Sequence, residues 1–223
     1  MFAEPEAWFW QEVRLPVMQA APLTDKPLQW RLSTDLRLGS RYGGLGGQFL
    51  RTGALWTVSP EWLVATQVAA IATQASPASW DQEYRIEVEP NQLGRWGDIV
   101  WLDRHRVEWR FRVAAGQQSL RYRNLFRMMW APDGAAWMPF AWIEGLFDAN
   151  PAGFAANDLG LAQIRSQAGV ARRLGESTRL DMGVMVRSQF RNGAWAQDPV
   201  LNVALLAIPQ GQPLIVDGAA GGD

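Results

Sequence analysis

The chain has 223 residues, no cysteine, and 21 basic against 22 acidic residues, for a formal net charge of -1. That length suits one large β domain, and the missing cysteines exclude disulfides and thiolate metal sites. A charge near zero argues against a polyanion-binding surface, and so against nucleic acid as a partner.

Lys26 is the single lysine, so the basic residues are almost all arginine. A GC-rich genome gives this bias, and so does a confined space in which planar guanidinium forks pair with carboxylates. There is no run of about 18 apolar residues that would make a transmembrane helix. Met1-Phe2-Ala3-Glu4-Pro5 lacks a basic segment followed by an apolar core. No secretory signal is visible, and an exported form would be a processed one.

No helix of useful length is expected. Long alternating stretches broken by Gly/Pro/Asp/Asn clusters predict strands joined by turns. The first is Trp8 to Met18, and the second Leu28 to Leu38, with Gln29, Arg31, Ser33, Asp35 and Arg37 on one face and Trp30, Leu32, Leu36 and Leu38 on the other. A Gly-rich loop from Gly39 to Gly47 leads to a third strand, Gln48 to about Val58, and Ser59-Pro60 turns into a fourth, Glu61 to Gln74. The fifth sets Asp81, Glu83, Arg85, Glu87 and Glu89 against Tyr84, Ile86 and Val88.

After a turn at Arg95 to Asp98 comes the most strongly patterned stretch. Side chains alternate faces along a strand. Arg104, Arg106, Glu108, Arg110 and Arg112 therefore share one face, and His105, Val107, Trp109 and Phe111 the other. The following strand repeats this with Arg121, Arg123 and Arg127 against Tyr122, Phe126, Met128 and Trp130. Pro132-Asp133-Gly134 turns into an eighth strand, Trp137 to Phe147, and a loop spans Asp148 to Asp158. The ninth, Leu161 to Leu174, carries Gln163, Arg165, Gln167 and Gly169 opposite Ile164, Ala168 and Val170. Gly175-Glu176-Ser177 turns into the tenth, with Arg179, Asp181, Arg187 and Gln189 against Leu180, Met182, Val184, Val186 and Phe190. Asn192 to Pro199 reads as a loop before a last strand, Val200 to Ile208.

The predicted organisation is an all-β chain: an N-terminal segment 1–27 with one strand, a closed antiparallel up-and-down meander barrel over 28–208, and a flexible tail over 209–223. Eleven strands are legible, while single-chain bacterial barrels use even numbers. The expected count is therefore 10 to 12, with the first strand outside the barrel or one strand unrecognised.

Two orientations fit the alternation. A soluble lipocalin-like carrier would line a ligand cavity with the apolar face; a transmembrane barrel of the outer-membrane type would turn that face to lipid. Strand length favours the membrane, since about 9–11 tilted residues span a bilayer and soluble strands cluster near 5–6. So does tryptophan placement: Trp30, Trp56, Trp62, Trp101, Trp130 and Trp137 all fall on the apolar face at the end that carries the tight turns. Interfacial aromatic girdles have this arrangement, with short periplasmic turns beneath.

Arg104-x-Arg106-x-Glu108-x-Arg110, then Arg121-x-Arg123, Glu144-x-x-Phe147 and Gln163-x-Arg165-x-x-x-Gly169, resemble the bacterial family catalogued as domain of unknown function 2490. The resemblance runs from about Leu28 to Ile208 and implies a Gram-negative outer-membrane barrel without a settled activity. It brings no catalytic residues.

In that orientation a lumen charge network is expected: Glu83, Arg85, Glu87, Arg104, Arg106, Glu108, Arg110, Arg112, Arg121, Arg123, Arg127, Glu144, Arg165, Asp181 and Arg187, joined by Arg31, Asp35, Arg37, Arg51, Glu89 and Arg179. Barrels of 10 to 12 strands are filled or narrow, since open channels need about 16. The network is either a polar core or a porin-like constriction for a small anion. The bilayer and the outer-membrane assembly machinery are the expected partners, with no cofactor and no metal. Catalysis is not expected. A lipid hydrolase would need His105, the only histidine, with Ser166 or Ser188 on the same face.

Overall fold

The computed structural model describes residues 6–18, 28–39, 44–76, 79–113, 116–149, 160–191 and 194–207. Every regular element among them is a strand: β1 (Glu6–Met18), β2 (Leu28–Gly39), β3 (Gly44–Ser59), β4 (Trp62–Ser76), β5 (Ser79–Trp96), β6 (Ile99–Arg112), β7 (Gln117–Trp130), β8 (Trp137–Asp148), β9 (Gly160–Arg173), β10 (Thr178–Arg191) and β11 (Ala194–Ala207). They close into one barrel in chain order.

Sequence alternation becomes alternation of burial. Along β6, Val100, Leu102, Arg104, Arg106, Glu108 and Arg110 are buried inside the barrel, while Val107 and Trp109 are exposed outside. Consecutive strands pair antiparallel, as in the tight hairpin that sets Trp96 opposite Ile99. Gly97 and Gly134 make such turns at φ 57° and 75°, a left-handed backbone that glycine adopts without steric cost.

The barrel departs from the expected one at its seam. β1 pairs antiparallel with β2 and also parallel with β11, from Glu6 opposite Val200 to Val13 opposite Ala207. The barrel therefore begins at β1 rather than at residue 28, and it is a meander of eleven staves. With an odd number, the first and last staves run the same way, so closure has to be parallel.

Two further stretches expected as loop are strand. β3 starts at Gly44 because Gly44 pairs with Gly39 past a register shift at Arg37/Leu38. β11 starts at Ala194 because its partner β10 continues to Arg191, with Pro199 opposite Val186. The expected tail over 209–223 lies outside the described residues.

The staves lie so close that some positions admit no side chain. A Cβ on Gly169 would sit 2.1 Å from the Met182 carbonyl oxygen and 2.7 Å from Gly183 Cα, because these two glycines face each other across β9 and β10. Replacing Gly169 with alanine is expected to destabilise the barrel by about 1–3 kcal/mol, the usual cost of overpacking. Gly175→Ala, at a turn with nothing within 4 Å, should stay within about 0.5 kcal/mol. Unfolding midpoints of the two variants measure the difference.

Candidate functional site

The interior has two layers. Towards the end that carries the tight turns it is apolar, with Leu55, Leu63, Leu93, Leu102, Leu125, Met129, Met138 and Phe140 packed together. This layer was not legible as such, because the sequence reading assigned one polar face to each strand.

Above it lies a lattice of ion pairs. Among the described residues, fourteen arginines and eleven carboxylates are buried, an excess of three positive charges. Glu144 on β8 receives Arg104 at 2.7 Å, Arg123 at 2.8 Å and Arg165 at 3.4 Å. Arg123 also reaches Glu108 at 2.8 Å, and Arg85 meets the other Glu108 oxygen at 3.2 Å. Arg106 is bonded to Glu89 and lies 3.6 Å from Glu87 and 3.7 Å from Glu108. Glu83 holds Arg85 and Arg110 at 2.5 and 2.7 Å.

Several of these contacts are chords across the lumen rather than steps to the next stave. Arg31 on β2 bridges Glu12 on β1, at 2.7 Å, and Glu89 on β5, at 2.9 Å. Arg127 on β7 reaches Asp181 on β10 at 2.9 Å, where Arg179 also binds at 2.7 Å. Arg187 joins Asp198 at 2.8 Å to Glu6 at 3.0 Å. Chords of this kind fill the space that they cross.

Every predicted lumen residue faces inward and is buried, except Arg112, which is half-buried near the end opposite the tight turns. The sequence reading missed the whole inward face of β1: Glu6, Trp8, Trp10, Glu12 and Arg14. It also missed Asp148 and Asp198, which it put in loops and which hold Arg121 at 2.6 Å and Arg187 at 2.8 Å. Parity was the available signal, since Asp148 continues the row of Glu144 and Leu146, and Asp198 that of Val200. Trp8 and Trp10 are the largest of these, and Trp8 is the more deeply buried. The Trp8 ring lies 4.0 Å from the Arg37 guanidinium, which also lies 4.0 Å from the Phe49 ring. Such cation–π contacts gain strength when desolvated.

The six predicted girdle tryptophans face outward near the tight-turn end. Trp30, Trp62, Trp130 and Trp137 are exposed, while Trp56 and Trp101 are partly covered, Trp101 by Trp96 at 5.5 Å between ring centroids. Arg172, which also faces outward, stacks on Trp137 at 4.9 Å. His105 faces outward too, but neither serine is near. Ser166 is on β9 and Ser188 on β10, so β7 and β8 lie between them and β6. The histidine instead meets Tyr122 Oη at 2.6 Å and Asp103 at 3.4 Å.

Chemically the lattice is a buried core in which carboxylates share guanidiniums. Glu144→Gln removes the common partner of three buried arginines, and breaking such a pair from one side costs about 3–5 kcal/mol. Asp133→Asn, at the exposed Arg95–Asp133 pair, should leave stability almost unchanged. The two unfolding midpoints, compared with that of the parent, check this.

Comparison with curated proteins and comparison with solved structures both return no match. A family model described as "Protein of unknown function (DUF2490)" matches residues 9–198. That span runs from β1 into β11 and carries nearly all of the lattice, so the chain belongs to this family.

Proposed function

We propose that this chain is an outer-membrane β-barrel with its apolar outer face in lipid, and that its lumen is a closed ionic core with a structural rather than a catalytic role. The observation that carries this reading is inverted polarity. Val184 (59%), Ile143 (54%), Val68 (54%) and Leu201 (52%) stand exposed outside, while Glu87, Glu89, Glu108 and Glu144 have no accessible surface inside. Soluble monomers rarely expose contiguous apolar patches beyond a few hundred Å². A soluble carrier would need the opposite arrangement, with an apolar lumen for its ligand.

The remaining geometry supports the same reading. Staves of 12 to 18 residues exceed the roughly 9–11 needed to span a bilayer at a tilt. Outward tryptophans lie near both ends, with Trp80 and Trp195 opposite the six at the tight turns. Arg172 sits beside a turn, where the cost of a lipid-facing arginine falls to about 0–1 kcal/mol. Insertion of such a barrel calls on the outer-membrane assembly machinery. The excess of three positive charges among the described residues would attract a small anion to the mouth opposite the tight turns, and the filled core and apolar layer would stop its passage.

Three results are expected. The chain floats with phospholipid vesicles and needs detergent to stay monodisperse; a monodisperse chain in plain buffer would favour the carrier. Planar bilayers containing it stay silent, and steady unitary conductance would instead support a pore. Val184→Arg lowers folding stability in lipid by about 2–4 kcal/mol, the cost of an arginine at mid-bilayer; little change would place Val184 outside the hydrocarbon.

A further inference from the structure

Among the described residues, the outer face carries a hydrogen-bonded polar group in the middle of its apolar band. His105 is the seventh of fourteen residues in β6, and Asn124, its cross-strand partner, the eighth of fourteen in β7. His105 Nδ1 lies 2.6 Å from Tyr122 Oη, and His105 Nε2 lies 3.4 Å from Asp103 Oδ2. Asn124 Nδ2 donates to Asp103 Oδ1 at 2.7 Å and lies 3.4 Å from His105 Nδ1. The side chains of His105 and Asp103 are 37% and 30% exposed, so the group opens outward.

Its depth limits what can meet it. Outward Trp101 and Trp109 bracket His105 at four residues on either side. At the rise and tilt of barrel strands, that is about 10 Å along the axis from each. In the membrane setting proposed above, on which this inference rests, phosphates and ester carbonyls lie at the interfaces and acyl chains offer no hydrogen bonds. An ionisable pair at this depth is costly unless another protein satisfies it. Ester hydrolysis is disfavoured by the same depth.

We infer that the face around Asp103, His105, Tyr122 and Asn124 binds the same face of a second copy of this chain. The group is self-complementary, because it holds an acid, a base and an amide that both donates and accepts. A two-fold contact pairs unlike residues reciprocally, and because the side-chain tips of Asp103 and His105 meet at 3.4 Å, the Asp103 of each copy comes within reach of the His105 of the other. A carboxylate offers about four acceptor positions, and within one chain Asp103 meets only Asn124 and His105 among the contacts described. The surroundings suit an interface. Trp101 and Phe126 stack at 6.4 Å, and Tyr122 and Phe147 at 6.0 Å, and aromatic residues are enriched at interface centres. The opposite side of the barrel carries Val184, Leu201 and Leu205 beside Phe9, with the Phe190–Trp195 ring pair near one end.

The absence of cysteine makes the test direct. Single-cysteine variants Val107→Cys, beside the polar group, and Leu201→Cys, across the barrel, are placed in phosphatidylcholine vesicles with a short bis-maleimide. The expected result is covalent dimer at least tenfold faster from the first. Adding Asp103→Leu and His105→Leu to Val107→Cys should slow that dimer at least fivefold. These substitutions face outward, and an unchanged far-ultraviolet circular dichroism spectrum confirms folding. Equal rates from the two positions, or no effect of the leucine pair, in a chain that floats with the vesicles overturns the dimer and leaves the membrane reading intact. A chain that does not float overturns the membrane reading itself, and the dimer with it.

Discussion

A carboxylate taken out of water loses several kcal/mol of hydration, even after the surrounding protein relaxes. Glu87, Glu89, Glu108 and Glu144 have no accessible surface, and guanidiniums take the place of their water. Arginine suits this role better than lysine. Its planar fork gives each carboxylate two directed bonds and keeps its charge under all ordinary conditions. Arg123 shows the consequence, serving Glu108 with one nitrogen and Glu144 with another. The arginine bias of the chain, whatever set it at the genomic level, matches what a closed charged interior needs.

Such a lattice is weak evidence for stability, since matched apolar residues often do as well or better. It does make the structure specific. A stave that slipped by one residue would turn its arginines outward and its tryptophans inward, so the wrong register strands charge on both faces. The chords of Arg31, Arg127 and Arg187 tie non-neighbouring staves. Closure depends on this as much as on hydrogen bonding along the seam. The parallel β1–β11 pairing extends over eight residue pairs, and Arg187 reaches past β11 to Glu6 to hold the same seam from inside. A closed sheet leaves no row of unpaired backbone groups, which a hydrocarbon setting would not tolerate.

The two polar groupings of the molecule obey one rule at different depths. Inside, excess positive charge is dispersed over many partners and walled off at one end by Leu55, Leu102 and Met129. Outside, Arg172 stacks on the Trp137 ring beside a turn, while the His105 group lies at mid-strand, which in the membrane setting proposed above is a depth that neither headgroups nor water reach. The first arrangement pairs its charges within the chain. The second is completed by a neighbour, in the proposal made above.

Alternation was readable residue by residue because the side-chain period of a strand is two. The faces of β2, β5, β6, β7, β9 and β10 followed from the sequence alone, together with the inward course of Arg104, Glu108, Arg123 and Glu144. The girdle tryptophans shared a face for the same reason. Tertiary structure alone decided which carboxylate each arginine takes, because register and barrel curvature set those distances. It likewise decided that Trp8 fills the lumen, that β1 closes the sheet parallel to β11, and that His105 meets Tyr122 rather than a serine. Apart from pairs two residues apart on one stave, such as Arg85–Glu83 and Arg179–Asp181, those contacts join residues 11 to more than 180 positions apart, and a pattern of period two carries no information about such separations.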